Sequence, residues 1–136
     1  MIARVVNYQV GLCRGRKDSP IRTLDLTVQC SDDPSVQRVF LRFYDNVQAS
    51  LGFVNTVRDS VFAFLPLDDF DLTRELLRGD DDVFFASIAD AEGNLVWTEI
   101  TTAETPLRAH HVAKSSVLHI VAPEEQPQAA TQAQAD

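Results

Sequence analysis

Cysteine, glycine and proline are scarce in this chain of 136 residues, which has two Cys, five Gly and six Pro. Collagen requires a glycine at every third position, and low-complexity chains are far richer in Pro and Gly, so both classes are excluded. The scattered apolar residues exclude a coiled coil, and no apolar run approaches the roughly 20 residues that span a bilayer. Hydrophobic residues at 45 % and charged residues at 24 % are typical of one globular domain with its own core.

An excess of basic charge is also lacking. The 12 Lys and Arg stand against 20 Asp and Glu, a net charge of −8. Binding of nucleic acid through overall charge is therefore not expected, because phosphate neutralisation needs a basic surface. The charge is uneven: residues 1–60 carry a net +2 and the remainder −10. If the fold separates these halves, their polarity favours a charged partner or a head-to-tail contact, whereas interleaved strands would erase it.

The first residues show no basic segment followed by a long apolar one, so no signal peptide is predicted. If residues 2–12 and 21–30 pair as a simple hairpin, Cys30 lies opposite Ala3. Cys13 would then be about 30 Å away along the strand, beyond the reach of a disulfide. We therefore expect two reduced thiols in a cytoplasmic protein with no membrane contact.

Alternation of apolar and polar residues is the strongest structural signal. It is clearest from Leu24 to Cys30, and the loop at Gly93 has the glycine that a short hairpin needs. The predicted strands are 2–12, 21–30, 39–43, 50–57, 60–66, 83–89, 95–101 and 117–121. The sequence thus predicts a mainly β fold, an antiparallel β-sandwich or flattened barrel of about seven or eight strands. The predicted core comprises Val6, Tyr8, Val10, Leu24, Leu26, Val28, Leu41, Phe43, Phe62, Phe64, Phe84, Ile88, Trp97 and Leu118.

One short helix interrupts this pattern over residues 68–78. An Asp in the first turn is the predicted N-cap, and Gly79 suits the end of the helix. Leu72, Leu76 and Leu77 are expected to face the sheet. These elements form a single predicted domain over residues 1–122. Residues 123–136, rich in Ala, Gln, Glu and Pro, contain too few large apolar residues to order and are predicted to be a disordered tail.

An acidic cluster brackets the helix and is the candidate metal site. Ca²⁺ takes several carboxylate oxygens as ligands, although the spacing here is not that of an EF-hand. Helix capping and a solvated turn explain most of these residues and are the stronger interpretation. The candidate ligands are Asp68, Asp69, Asp71, Asp80, Asp81 and Asp82.

Catalytic signatures are missing. The five glycines never cluster into a phosphate-binding loop, and no Gly-x-Ser-x-Gly motif is present. A small hydrolase would have to use His110, His111 or His119 as a base beside Ser115 or Ser116. Adjacent histidines on an extended chain point to opposite sides, which disfavours a shared zinc ion.

Basic side chains provide the candidate interaction residues. Arg14, Arg16 and Lys17 lie in the loop after the first strand, and Arg38 and Arg42 lie on the polar side of the third. Guanidinium groups suit carboxylates, so a protein partner or a second copy of the chain is expected. The leading hypothesis is a non-catalytic interaction or assembly module that docks through charged loops or a strand edge. A cation- or small-ligand-binding domain is the alternative, and a hydrolase the third.

Overall fold

A computed structural model describes residues 1–14, 19–46, 48–57 and 59–102 of the chain. Within these ranges lie the strands β1 (Ile2–Leu12), β2 (Arg22–Cys30), β3 (Arg38–Tyr44), β4 (Gly52–Asn55), β5 (Ser60–Pro66), β6 (Phe84–Ala89) and β7 (Leu95–Thr101). A 3₁₀ turn, Leu67–Asp69, leads into the helix α1 (Phe70–Arg78) between β5 and β6. The predicted mainly β fold with one short helix is confirmed. The predicted strand 117–121, the predicted core residue Leu118 and the predicted tail lie outside the described residues.

The strands form one sheet in the order β4-β5-β3-β2-β1-β6-β7. Its two edges approach each other, because Phe53 forms a bridge with Asn94 and the Val54 N–H donates to the Gly93 carbonyl at 2.8 Å. The sheet is therefore nearly closed into a barrel. All neighbours are antiparallel except β3 and β5, which run parallel, so the expectation of a purely antiparallel sheet is wrong at this pair. The hairpin partner β4 lies at the sheet edge, which leaves β5 to enter beside β3.

The order of the strands mixes the two halves of the sequence only in part. β5 lies between β4 and β3, whereas β6 and β7 lie together beyond β1. β5 carries no charged residue, so its position between β4 and β3 does not by itself mix the charges of the two halves. In the described part of the chain, no helix is long and apolar enough to cross a membrane.

The β1–β2 hairpin has the predicted register, with Cys30 opposite Ala3, and both thiols are free. Leu24, Leu26, Val28, Leu41 and Phe43 are buried, as predicted. The buried hydrophobic cluster comprises Ala3, Leu24, Leu26, Val28, Cys30, Val36, Val39, Leu41, Phe43, Val61, Ala63, Phe70, Phe85 and Leu95.

The second half of β1 departs from the predicted core. A bulge between Val5 and Asn7 shifts the alternation, and β1 pairs with β6 only over Ile2–Arg4. Val6 is therefore exposed, and Val10 is 53 % exposed although it lies opposite the buried Leu24. Phe62 and Phe64 are also half-buried rather than core residues, because β5 turns Val61 and Ala63 inward.

The helix α1 buries only part of the side that was predicted: Leu77 packs against the core cluster as expected, but Leu72 does not. Phe70 and Thr73 are buried, whereas Leu72 is 66 % exposed, since it lies about 200° around the helix from Phe70. Asp69 occupies the N-cap position but its side chain makes no capping hydrogen bond. Instead, the Thr73 hydroxyl donates to the Asp69 carbonyl oxygen at 2.7 Å.

The β6–β7 hairpin forms as predicted. Gly93 has a φ of 89°, the left-handed conformation that its turn requires. The Asp90 carboxylate accepts hydrogen bonds from the N–H groups of Glu92 at 3.0 Å and Asn94 at 2.9 Å. This turn brings Gly93 next to β4 and so closes the barrel.

Substitution of Gly52 by alanine is expected to destabilise the protein by at least about 2 kcal/mol, from backbone strain and overpacking. Gly52 has a φ of 124°, and a Cβ there would collide with the carbonyl of Phe62. The matched control is Gly79→Ala, because Gly79 has a φ of −71° and its nearest new contact would be at 3.5 Å. Urea denaturation of both variants checks this, and equal stabilities would contradict it.

Candidate functional site: an aromatic–arginine face

The outward side of β3, β5 and β4 carries a continuous patch of aromatic rings and guanidinium groups. Strand register places Phe40 beside Phe62, Phe62 beside Phe53, and Arg42 beside Phe64. We call this patch, together with Asp25 of the neighbouring β2, the aromatic–arginine face. It consists of Asp25, Arg38, Phe40, Arg42, Tyr44, Phe53, Phe62 and Phe64.

The five rings form a connected row across the three strands. The Phe62 ring centroid is 4.8 Å from that of Phe40 and 5.0 Å from that of Phe53, which stacks on it at 14°. Phe64 meets the Phe53 ring at 6.0 Å and the Tyr44 ring, edge to face, at 5.8 Å. Each of these geometries is a favourable aromatic contact, so the rings hold one another in place.

Both arginines of β3 lie over this row. The Arg42 guanidinium is 5.2 Å from the Phe40 centroid and 5.7 Å from that of Phe62, and its Nη1 donates to Asp25 Oδ1 at 2.8 Å. The Arg38 guanidinium is 5.0 Å from the Phe40 centroid. Arg38 is exposed, and among the described residues no carboxylate lies within ion-pair distance of it. One of the two positive charges is therefore available to a partner.

The face is open to solvent as far as the described residues show. Phe53 is 38 % exposed, and the other four rings are half-buried. A contiguous apolar patch of this kind marks a binding surface more often than scattered exposed residues do, and aromatic residues and Arg are the types enriched at interfaces.

The structure brings together only part of the predicted basic set. Arg38 and Arg42 share the face, but Arg14 is exposed at the far end of the β1–β2 hairpin. Since Arg22 pairs with Phe43 there, that end is about 17 Å along the strand from Arg38. Arg16 and Lys17 lie outside the described residues.

The predicted calcium ligands lie along the 3₁₀ turn, on α1 and directly after it, and all six are exposed. These are Asp68, Asp69, Asp71, Asp80, Asp81 and Asp82. In the described ranges, no group of three or more His, Cys, Asp or Glu side chains is placed to hold a metal ion. Calcium binding gains no support from this geometry and stays a prediction.

The Cys30 thiol is buried and donates a hydrogen bond to Asp32 Oδ1 at 2.8 Å. Burial and this hydrogen bond raise the pKa of Cys30 to about 11, which keeps the thiol protonated and unreactive. For Asp32, burial alone would raise the pKa, but the thiol hydrogen bond and the Met1 ammonium group lower it overall. The histidine and serine residues of the hydrolase hypothesis, His110, His111, His119, Ser115 and Ser116, lie outside the described residues.

The aromatic rings are the residues of this candidate site that the sequence did not indicate. Phe62 and Phe64 alternate with the smaller Val61 and Ala63, and that size difference was the available signal for their outward orientation. Every residue from Val61 to Leu65 is apolar, so alternation of polarity gave no direction.

Titration of Cys30 is expected to weaken the fold at high pH. The pKa of the Cys30 thiol in the folded protein lies above the ordinary value of 9.0. The contribution of the protonated thiol to the free energy of unfolding is therefore complete below pH 9 and is lost as the pH approaches about 11. The measurement is the free energy of unfolding of the natural chain and of Cys30→Ser, which cannot ionise there, between these two pH values. The free energy of unfolding of the natural chain should fall towards that of Cys30→Ser as the pH rises. If both free energies change in parallel with pH, the expectation is contradicted.

The calcium hypothesis predicts that millimolar Ca²⁺ raises the melting temperature, because a ligand of the native state stabilises it. Combined Asp80→Asn and Asp82→Asn substitution should abolish the rise, whereas Asp90→Asn, in the β6–β7 turn, should retain it. An unchanged melting temperature in the natural chain would remove the hypothesis.

Comparison with known proteins does not indicate a function for this site. No protein-family model matches the chain, and no curated protein and no solved structure matches it either. Function has therefore to be inferred from the arrangement of the side chains themselves.

Proposed function

We propose that this chain is a non-catalytic assembly module whose copies pair through the aromatic–arginine face. The observation that carries the proposal is the outward row of five rings with two guanidinium groups stacked on it. Rings and guanidinium groups supply contact area and charge-assisted hydrogen bonds, rather than nucleophilic or acid–base chemistry.

The rings of this face are suited to binding because their positions are already fixed. Phe62 is held between Phe40 and Phe53, and Arg42 is held by the Asp25 carboxylate. Association costs less entropy when the contacting side chains are ordered beforehand. Aromatic residues and Arg also dominate the few positions that contribute most of the binding energy in protein interfaces.

A second copy is the partner that fits the charges of the face. A twofold contact places one surface against itself, so the surface must be self-complementary. Asp25 and Arg38 lie on neighbouring strands two positions apart, since Asp25 pairs with Phe40 and Thr27 pairs with Arg38. In a twofold pair, Arg38 of one copy can approach Asp25 of the other while the rings pack together.

Docking through the edge of β4 is less well supported. β4 has four residues, is bonded to β5 on one side, and has the Val54 N–H bonded to Gly93 on the other. Little of its backbone is left for an added strand, and short edge strands generally resist such addition.

The expected result is a concentration-dependent dimer. Arg38→Glu should lower its association constant by at least about tenfold, since the substituted residue occurs in both copies of a twofold contact. Phe53→Ser should weaken it as well, by removing exposed ring area. Multi-angle light scattering and sedimentation equilibrium measure the dimer fraction across a concentration series.

Arg14→Glu is the matched control, because it makes the same charge reversal at an exposed position just beyond the end of β1, two strands away from β3 and at the opposite end of the hairpin from Arg38. It should leave the dimer intact. Equal weakening by Arg14→Glu and Arg38→Glu would indicate a general charge effect and contradict the role of the face. A monomer at every concentration and at low and high salt would overturn self-association.

A further inference from the structure

A cavity of about 250 Å³ lies at the end of the barrel, between the last part of β1, the first residue of β2 and α1. It is lined by Val10, Gly11, Leu12, Arg22, Phe70 and Arg74. None of these residues belongs to the aromatic–arginine face.

The cavity arises from how β1 is paired. β6 pairs with β1 only as far as Arg4, so the second half of β1 is paired with β2 on one side and has no described strand on the other. Val10 is 53 % exposed and Leu12 is 69 % exposed as a result. Phe70 forms the floor of the cavity. Its side chain is buried, and its ring centroid lies 5.2 Å from that of Phe43.

Two guanidinium groups converge on this floor. The Arg22 Cζ is 4.8 Å from the Phe70 centroid, and the Arg74 Cζ is 5.7 Å from it. In the described part of the chain, Arg22 has no carboxylate within ion-pair distance, and the buried Nε of Arg74 has no hydrogen-bond partner. Among the described residues, the carboxylate within ion-pair distance of Arg74 is that of Asp71, at 4.0 Å, and the Asp71 side chain is 82 % exposed.

Two like charges that share one ring, with donors left over, are complementary to an anion. Guanidinium groups bind carboxylates through paired charge-assisted hydrogen bonds. The apolar side chains beside them would contact the rest of such a ligand. An enclosed cavity of roughly 150 Å³ is enough to hold benzene. The cavity here is open to solvent on one side and has a volume of about 250 Å³, which leaves room for a ring and a carboxylate.

We propose that this cavity binds a small organic carboxylate with an apolar or aromatic group. The carboxylate lies between Arg22 and Arg74, and the apolar group lies against Phe70 and Leu12. This proposal is independent of self-association, because the cavity residues and the face residues are different sets.

The test uses 3-phenylpropionate as the probe and the neutral 3-phenylpropan-1-ol as its control, with the full chain. We expect saturable binding of the acid by calorimetry and amide shifts, in nuclear magnetic resonance spectra, at the end of β1 and in α1. The alcohol should bind at least about tenfold more weakly, because hydrogen bonds to a charged group are lost.

Arg22→Gln should lower the affinity for 3-phenylpropionate by about tenfold, and Arg74→Gln by a similar factor. Arg4→Gln is the matched control and should leave the affinity unchanged, because Arg4 lies near the opposite end of β1 and belongs neither to the cavity nor to the aromatic–arginine face. Circular dichroism checks that each variant is folded, since Arg22 is exposed whereas Arg74 is half-buried.

Four results would overturn the proposal. The first three are the absence of saturable binding, equal affinity for the acid and the alcohol, and equal effects of Arg22→Gln and Arg4→Gln. Inorganic phosphate that binds as tightly as the acid would also overturn it, since the apolar part of the ligand would then contribute nothing.

Discussion

The parallel pairing of β3 with β5 is the constraint on which the rest of the structure depends. In this register Val39 and Leu41 turn inward with Val61 and Ala63, and they form the centre of the buried cluster. The same register turns Phe40 and Arg42 outward beside Phe62 and Phe64. Because successive side chains of a strand alternate between its two sides, the core and the aromatic–arginine face are set by a single choice of register. A slip by one residue would bury Arg42 and expose Leu41.

Closure of the barrel is a second consequence of this pairing. With β5 beside β3, the short β4 is displaced to the edge, where Val54 reaches the Gly93 carbonyl of the β6–β7 turn. α1 then covers one end, with Phe70 packed edge to face on Phe43. α1 covers this end of the barrel incompletely, because β1 extends beyond its contact with β6. The uncovered part is the cavity beside Arg22.

Local features of the sequence predicted local features of the structure well. The β1–β2 register and the Gly93 turn followed from alternation and turn chemistry, which act between residues close in sequence. The parallel pair was not predictable in this way, because residues 61–65 are apolar throughout and either side suits burial. The orientation of Phe62 depends on which strand lies next to β5, and that pairing is determined by tertiary packing rather than by the local sequence. The bulge at Val5 likewise reversed the expected burial of Val6 without any Gly or Pro to mark it.

The aromatic–arginine face has a structural role as well as the proposed binding role, and its members divide between the two. Phe62 contacts rings on both neighbouring strands, and cross-strand aromatic pairs each add roughly 0.2–1 kcal/mol to a sheet. Arg42 is half-buried and bonded to Asp25, so its charge is largely satisfied within the fold. Phe53 and Arg38 differ, because the first is at the exposed edge and the second has no carboxylate partner in the described residues. The central residues therefore hold the face in shape, and those at its margin are free to contribute energy to a contact.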